Sequence, residues 1–242
     1  MLDNFTRSLL NGDKKIFEAL GLEKVPTMID AQGADTGGIN SLPHGKSIWR
    51  QGNDTTPGTL IFDPVVRAPG QPWDNSYNYN TITRNPQPVS ILCWELDFVL
   101  AASDLKGNAR EFEAELCEVG WTYNMALQYK WSNVDGPPAW RMFDQTAVKN
   151  KWVPIPGIPA PNPVAGKFIS VQAYFVIDRA AGVTWHDSVV IDGVYYPINV
   201  PHKKMFKWPS KPTYLHNAVQ IDPLNDGQVC TVQIRNWNVR GL

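Results

Sequence analysis

Trp121-Thr122-Tyr123-Asn124-Met125-Ala126-Leu127-Gln128-Tyr129-Lys130-Trp131 is the stretch on which the fold class turns. Trp121, Tyr123, Met125, Leu127, Tyr129 and Trp131 occupy every second position, and Thr122, Asn124, Ala126, Gln128 and Lys130 fill the gaps. Successive side chains of a strand leave its pleated backbone on opposite sides, so this spacing puts the apolar residues on one face and the polar ones on the other. A helix would scatter them around its axis. The stretch therefore predicts a strand with one buried face.

The same reading extends outward. In residues 91–100, Trp94, Leu96, Phe98 and Leu100 alternate with Cys93, Glu95, Asp97 and Val99. In 111–118, Phe112, Ala114 and Leu116 alternate with Glu111, Glu113 and Glu115. Further strands are expected over 168–177, 183–191, 194–200 and 228–239. No helical pattern separates these runs, which excludes a parallel α/β sheet and leaves antiparallel sheets packed face to face. The proline-rich stretch 154–163 lacks the N–H groups a ladder needs, so it is expected as a loop over an edge. The fold class read from the residues is all-β: a jelly-roll β-sandwich of two antiparallel sheets. The chain is read as a single domain, 1–242, with no internal repeat or linker. Asp3 and Asp13 as caps, with Gly12 and Gly21 as stops, predict a short helical N-terminal segment over 1–25. Residues 26–90 are rich in Gly, Pro, Asn and Thr and are expected as loops with short strands near 47–50 and 58–62, and 91–242 as the main strand region.

Composition narrows the partners. Hydrophobic residues make up 43% of the 242, ample for a core of this class. With 22 basic and 23 acidic residues scattered along the chain, there is no basic patch of the kind phosphate neutralisation requires, so no nucleic-acid partner is expected. No apolar run approaches the roughly 20 residues that span a bilayer, and no membrane span is expected. The first ten residues do not have the pattern of a signal peptide. Cys93, Cys117 and Cys230 have neither the even count of a disulfide framework nor the short paired spacings of a metal site, and are expected as buried thiols. Nothing in the sequence calls for a metal or a cofactor.

Glu95 and Asp97 lie two apart on one strand, roughly 6.6 Å along the chain, which is near the 5–5.5 Å or so between the carboxyls of a retaining glycosidase. Glu113 and Glu115 lie the same way on the next predicted strand. If the two strands are neighbours, four carboxylates share one surface and their mutual repulsion marks it as functional. The polar face of 121–131 adds Asn124 and Gln128, and His186 is expected on the same concave face, pointing away from Asp187. Trp94, Trp121 and Trp131 are expected in the core. Trp73, Trp140 and Trp208 sit in polar or proline-rich surroundings, where a ring beside hydrogen-bonding groups suits the apolar face and polar rim of a sugar. Trp140 and Arg141 are thus placed at the rim.

The segments Glu95-Leu96-Asp97-Phe98, Glu115-Leu116-Cys117, 140–144, Trp152-Val153-Pro154, Ile191-Asp192-Gly193-Val194-Tyr195-Tyr196, Gln220-Ile221-Asp222 and 232–237 together resemble the concanavalin A-like lectin/glucanase domains of bacterial secreted proteins of unassigned function. The resemblance covers residue 91 to the C-terminus. It implies a jelly-roll sandwich, an extracellular setting and a carbohydrate partner. Laminarinase-type hydrolases of that fold place Glu, Asp and a second Glu along one strand, and here Val99 and Leu100 stand where the third acid falls. In those domains the cysteine matching Cys117 has a partner after the Trp-Val-Pro element, whereas residues 155–163 contain none. The expected function is glycan binding through Glu95, Asp97, Glu113, Glu115, Asn124, Gln128, His186, Trp140 and Arg141. A glycan-cleaving enzyme, hydrolase or lyase, with Glu95, Asp97 or Glu115 as catalytic candidates is the alternative, and a structural subunit of an extracellular assembly is the third.

Overall fold

The computed structural model describes residues 23–25, 36–40, 47–50, 58–65, 76–84, 90–106, 109–118, 120–133, 136–144, 151–203, 214–222 and 228–241. The strands are β1 (Glu23–Val25), β2 (Thr36–Asn40), β3 (Ser47–Arg50), β4 (Gly58–Val65), β5 (Ser76–Arg84), β6 (Ile91–Val99), β7 (Ala109–Glu118), β8 (Trp121–Lys130), β9 (Ala139–Asp144), β10 (Lys151–Pro154), β11 (Ile169–Asp178), β12 (Val183–Ile191), β13 (Val194–Lys203), β14 (Tyr214–Asp222) and β15 (Gln228–Gly241). One short 3-10 turn, Ala102–Lys106, joins β6 to β7. No helix among the described residues is long and apolar enough to cross a membrane.

The strands form two antiparallel sheets. The first runs β13-β12-β11-β6-β15-β4-β3, with β1 also pairing β15, and the second runs β10-β9-β8-β7-β14-β5-β2. The two pack face to face as a β-sandwich. The predicted helical segment lies outside the described residues except for its last three, Glu23–Val25, which pair as a strand with Gly241, Arg240 and Val239. Residues 26–90 carry more strand than expected. β3 falls where it was predicted, β4 runs three residues further, and β2 and β5 were not predicted. In β5, Tyr77, Tyr79, Thr81 and Thr83 are good strand formers, but Asn78 and Asn80 between them read as turn residues.

The core is the layer between the sheets. Leu92, Trp94, Leu96 and Phe98 of β6 meet Phe112, Ala114 and Leu116 of β7 and Tyr123, Met125, Leu127 and Tyr129 of β8, all buried. The Phe98 and Phe112 ring centroids lie 4.8 Å apart across the layer. Burying each such side chain contributes about 1.5–3 kcal/mol, so this alternation holds the two sheets together. One edge of each sheet is guarded against further pairing by prolines, Pro154 on β10 and Pro197 and Pro201 on β13. Cys93 and Cys117 are buried thiols, as expected, one in each sheet. The side chain of Cys230 lies outside the described set.

Candidate functional site

The outer face of the second sheet is polar and, contrary to the simple one-face expectation, largely buried, with Glu113 and Glu115 half-buried. Every residue of β8 after Trp121 is buried, including Thr122, Asn124, Gln128 and Lys130, which point away from the core. Register builds the face from rows that cross the strands. Gln220 of β14, Glu111 of β7, Gln128 of β8, Arg141 of β9 and Pro154 of β10 stand in one row. Ala218, Glu113 and Ala126 form the next, and His216, Glu115 and Asn124 the one after.

Several of these groups are held in place. Gln128 Nε2 donates to Glu111 Oε1 at 2.7 Å. Lys130 Nζ donates to the carbonyls of Ser132 at 2.6 Å and Gly136 at 2.8 Å, tying down the turn that leads into β9. Gly136 has φ 103, a conformation that residues with a Cβ rarely adopt, so glycine is what lets the chain turn here beside Arg141. At the edge of the face, Phe143 and Trp152 stand opposite each other on β9 and β10 with ring centroids 5.2 Å apart. Asn124 Oδ1 is buried on this face with no hydrogen-bond partner among the described residues. A buried acceptor in that state costs free energy that a native structure ordinarily avoids.

The structure therefore brings together Glu113, Glu115, Asn124, Gln128 and Arg141 of the residues expected in the site. Glu95 and Asp97 are not among them. β6 belongs to the first sheet and β7 to the second, so the premise that these strands are neighbours fails and the four carboxylates lie on opposite outer faces of the sandwich. On its own face Glu95 Oε2 accepts from Gln172 Nε2 at 2.9 Å, and Asp97 Oδ2 accepts from Arg235 Nε at 2.9 Å and Asn236 Nδ2 at 2.8 Å. Trp140 is not at a rim: it is 4% exposed, and its ring meets Tyr129 edge-on at 4.9 Å in the core. Trp94 is buried, and Trp121 and Trp131 pack against the core as expected. Trp73 and Trp208 lie outside the described residues.

His186 does not line a face either. It is buried between the sheets, edge-on to Phe175 and with its ring centroid 4.2 Å from that of His202. His202 Nδ1 lies 3.8 Å from Asp144 Oδ1 on the opposite sheet. Burial, reinforced by the neighbouring His202, holds His186 well below the ordinary histidine range. Burial pushes His202 down to about 4 against the opposing pull of Asp144, so both rings are neutral near neutrality. A bulge after His186 places Asp187 beside Ser188, whose hydroxyl donates to it at 2.8 Å.

Glu111, Lys130 and Trp152 belong to the second sheet's outer face but were not singled out from sequence. Parity already put Glu111 and Lys130 on the polar side of their strands, and Trp152 stood in a quoted motif. Among the described residues no group of three or more His, Cys, Asp or Glu is placed to hold a metal ion.

No family model matches the sequence, and no curated protein matches it. Among solved structures, an endo-beta-1,4-glucuronan lyase from the fungus Trichoderma reesei is similar with a TM-score of 0.52 at 9% identity, covering 90% of this chain and 93% of that one. A Lotus tetragonolobus seed lectin gives 0.46 at 10% identity, over 90% and 96% of the two chains, and an alginate lyase gives 0.47 at 8%, over 86% and 97%. The likeness to the glucuronan lyase, at 9% identity, is one of fold.

Proposed function

We propose that the chain binds carbohydrate on the outer face of the second sheet, with a glycan laid across β7, β8 and β9. The observation that carries this reading is Asn124 Oδ1, a buried acceptor without a hydrogen-bond partner among the described residues. Sugar hydroxyls are donors of the kind it lacks, and Glu111, Glu113, Glu115, Gln128 and Arg141 supply further acceptors and donors on the same floor. Phe143 and Trp152 give the flank an aromatic surface for the apolar side of a pyranose. An extracellular setting goes with this reading.

A glycan-cleaving activity on the same face has one specific feature in its favour. Glu111, Glu113 and Glu115 recur two residues apart on one strand face, roughly 6.6–7 Å, at the lower end of the 6.5–9.5 Å or so that separates the carboxyls of inverting glycosidases.

Both readings are tested together. The purified chain is run over an array of neutral and uronate glycans, and each positive glycan is then assayed for new reducing ends and for the ultraviolet absorbance of unsaturated ends. Binding that Trp152→Ala weakens, with no new chain ends, supports the lectin-like role. New ends abolished by Glu113→Gln or Glu115→Gln establish the enzyme. Binding to no glycan on the array removes both.

A further inference from the structure

A second site lies at one end of the sandwich, where the proline-rich segment crosses the gap between the sheets. Its cavity of about 220 Å³ has Tyr129 and Trp140 on one side, Ile191, Asp192 and Tyr196 on the other, and residues 158–162 along its length. This is separate from the outer face, since Tyr129 points inward where Gln128 and Lys130 point outward. We propose that this end cavity is a binding site for one neutral pyranose residue, and the proposal stands whether or not the outer face binds glycan.

Size gives the first argument. Pockets for drug-sized ligands run from roughly 300 to 1,000 Å³, so a cavity of about 220 Å³ admits a single ring and not a chain. Exposure gives the second. Val164, Val194 and Tyr195 are the large hydrophobic residues left exposed among those described, at 55%, 52% and 41%. Val164 and Val194 line the cavity, and Tyr195 follows Val194 in the chain. Exposed apolar surface gathered at the mouth of a cavity marks a place where something docks.

The walls are fixed before any ligand arrives. Ile155 N–H donates to the Trp140 carbonyl at 2.9 Å, Gly166 N–H to Leu100 at 3.1 Å and Lys167 N–H to Val164 at 3.1 Å, so the proline-rich segment is fastened at both ends. On the other side, Asp192 and Gly193 make the two-residue turn between β12 and β13, with φ 49 and φ 80. That pair of positive φ values is the one tight hairpins of this length require. Asp192 N–H donates to the Ser170 carbonyl, and Asp192 Oδ1 accepts from Ser170 N–H, both at 2.9 Å. A rigid site loses little freedom on binding.

The polar groups decide the ligand class. Burial and the nearby Asp192 charge raise the Tyr129 phenol well above its usual range, so it is a proton donor at any physiological pH. Asp192 offers an acceptor, and Lys167 and Asn162 stand at the rim. A purely apolar ring would cover the Tyr129 phenol and offer it no acceptor, which is costly. A uronate would bring its charge toward Asp192, and a cation would bring its own toward Lys167. A neutral ring with apolar faces and a hydroxyl rim satisfies all of them.

Saturation-transfer NMR with methyl β-glucoside, methyl β-galactoside and methyl α-mannoside at millimolar concentration, with indole as the apolar control, tests the assignment. At least one glycoside should receive saturation. Val194→Trp, at a site already open to solvent, should block the mouth and abolish the signal. Asp192→Asn, which keeps both the positive φ and the acceptor for Ser170 N–H, should weaken binding about tenfold, and Lys167→Ala provides a milder third handle. Repeated in an Asn124→Ala background, which disables the outer face, the signal should persist and still depend on Val194 and Asp192. Saturation of indole alone, of no probe, or of a glycoside whose signal survives Val194→Trp but disappears with Asn124→Ala would overturn the proposal. The last of these results would leave the outer-face reading standing.

Discussion

The two outer faces of the sandwich began with the same sequence signal, acids alternating with apolar residues, and ended in different states. Around β6 on the first sheet the polar groups close on one another. Tyr174 Oη donates to Gln172 Oε1 at 3.4 Å, Gln172 donates to Glu95, and Asp97 takes both Arg235 and Asn236, while Cys93 and Tyr174 pack with Ile91, Val176 and Val190. The Arg235 guanidinium also stacks 3.8 Å over the Phe168 ring. On the second sheet the polar groups of β8 are more deeply buried than these, and Asn124 Oδ1 is left without a hydrogen-bond partner among the described residues. Alternation says that a face is polar, and only the partner count says whether it is finished. A finished face holds the fold, and an unfinished one is where the proposed ligand site is put.

The largest effect expected comes from the layer that both faces share. His202 joins β13 of one sheet to β9 of the other through Asp144, and His186 lies against it. With the folded-state pKa of His202 lowered from 6.5 to about 4, the unfolded chain binds more protons than the folded one between those values. Stability is therefore full above about pH 6.5 and is lost as pH falls toward 4, by about 3 kcal/mol from His202 alone. His186, lowered further, continues the loss in the same direction. Urea unfolding at several pH values between about 7 and 4 should show this slope, and His202→Gln should flatten it by about half. A midpoint independent of pH would mean that the two rings are not buried neutral, and the joint between the faces would need another account.

A smaller effect separates the faces directly. Asp97→Asn keeps the shape of the side chain but removes the charge that Arg235 and Asn236 address. Because Arg235 is about half exposed, the loss is about 1 kcal/mol. Thermal unfolding should register it, and glycan binding should not change. Loss of binding in Asp97→Asn would return the first sheet's face to the candidate site.

Much of this architecture was legible in the residues. The alternation in 121–131, 91–100 and 111–118 located β8, β6 and β7 almost to their ends, because one apolar face fixes a strand's register. What the alternation could not supply was sheet membership. Strands consecutive in sequence usually pair, yet the Ala102–Lys106 turn carries the chain from one sheet to the other, and this single crossing separated Glu95 and Asp97 from Glu113 and Glu115. Trp140 was misplaced for a related reason: its polar and proline neighbours suggested a loop, whereas pairing of β9 with β8 and β10 turned it inward. His186 has the same parity as the core residue Phe175 opposite it, and that pairing is a tertiary fact absent from the local pattern.

The smallest effect on stability is the one that tests the comparison most sharply. Asn124→Ala removes a buried amide whose carbonyl oxygen has no partner, so the desolvation cost of that atom is removed with it. The lost packing of a short side chain works the other way, and the two should cancel to within about 0.5 kcal/mol, leaving the urea midpoint where it was. If the unpartnered oxygen is there to receive a sugar hydroxyl, the same substitution should reduce glycan affinity more than tenfold, about 1.4 kcal/mol. Asn124→Ala and Asp97→Asn should thus be mirror images, one costing affinity without stability and the other stability without affinity. If Asn124→Ala instead lowers stability by about 2 kcal/mol, the amide is part of a closed network, and the second face is as finished as the first.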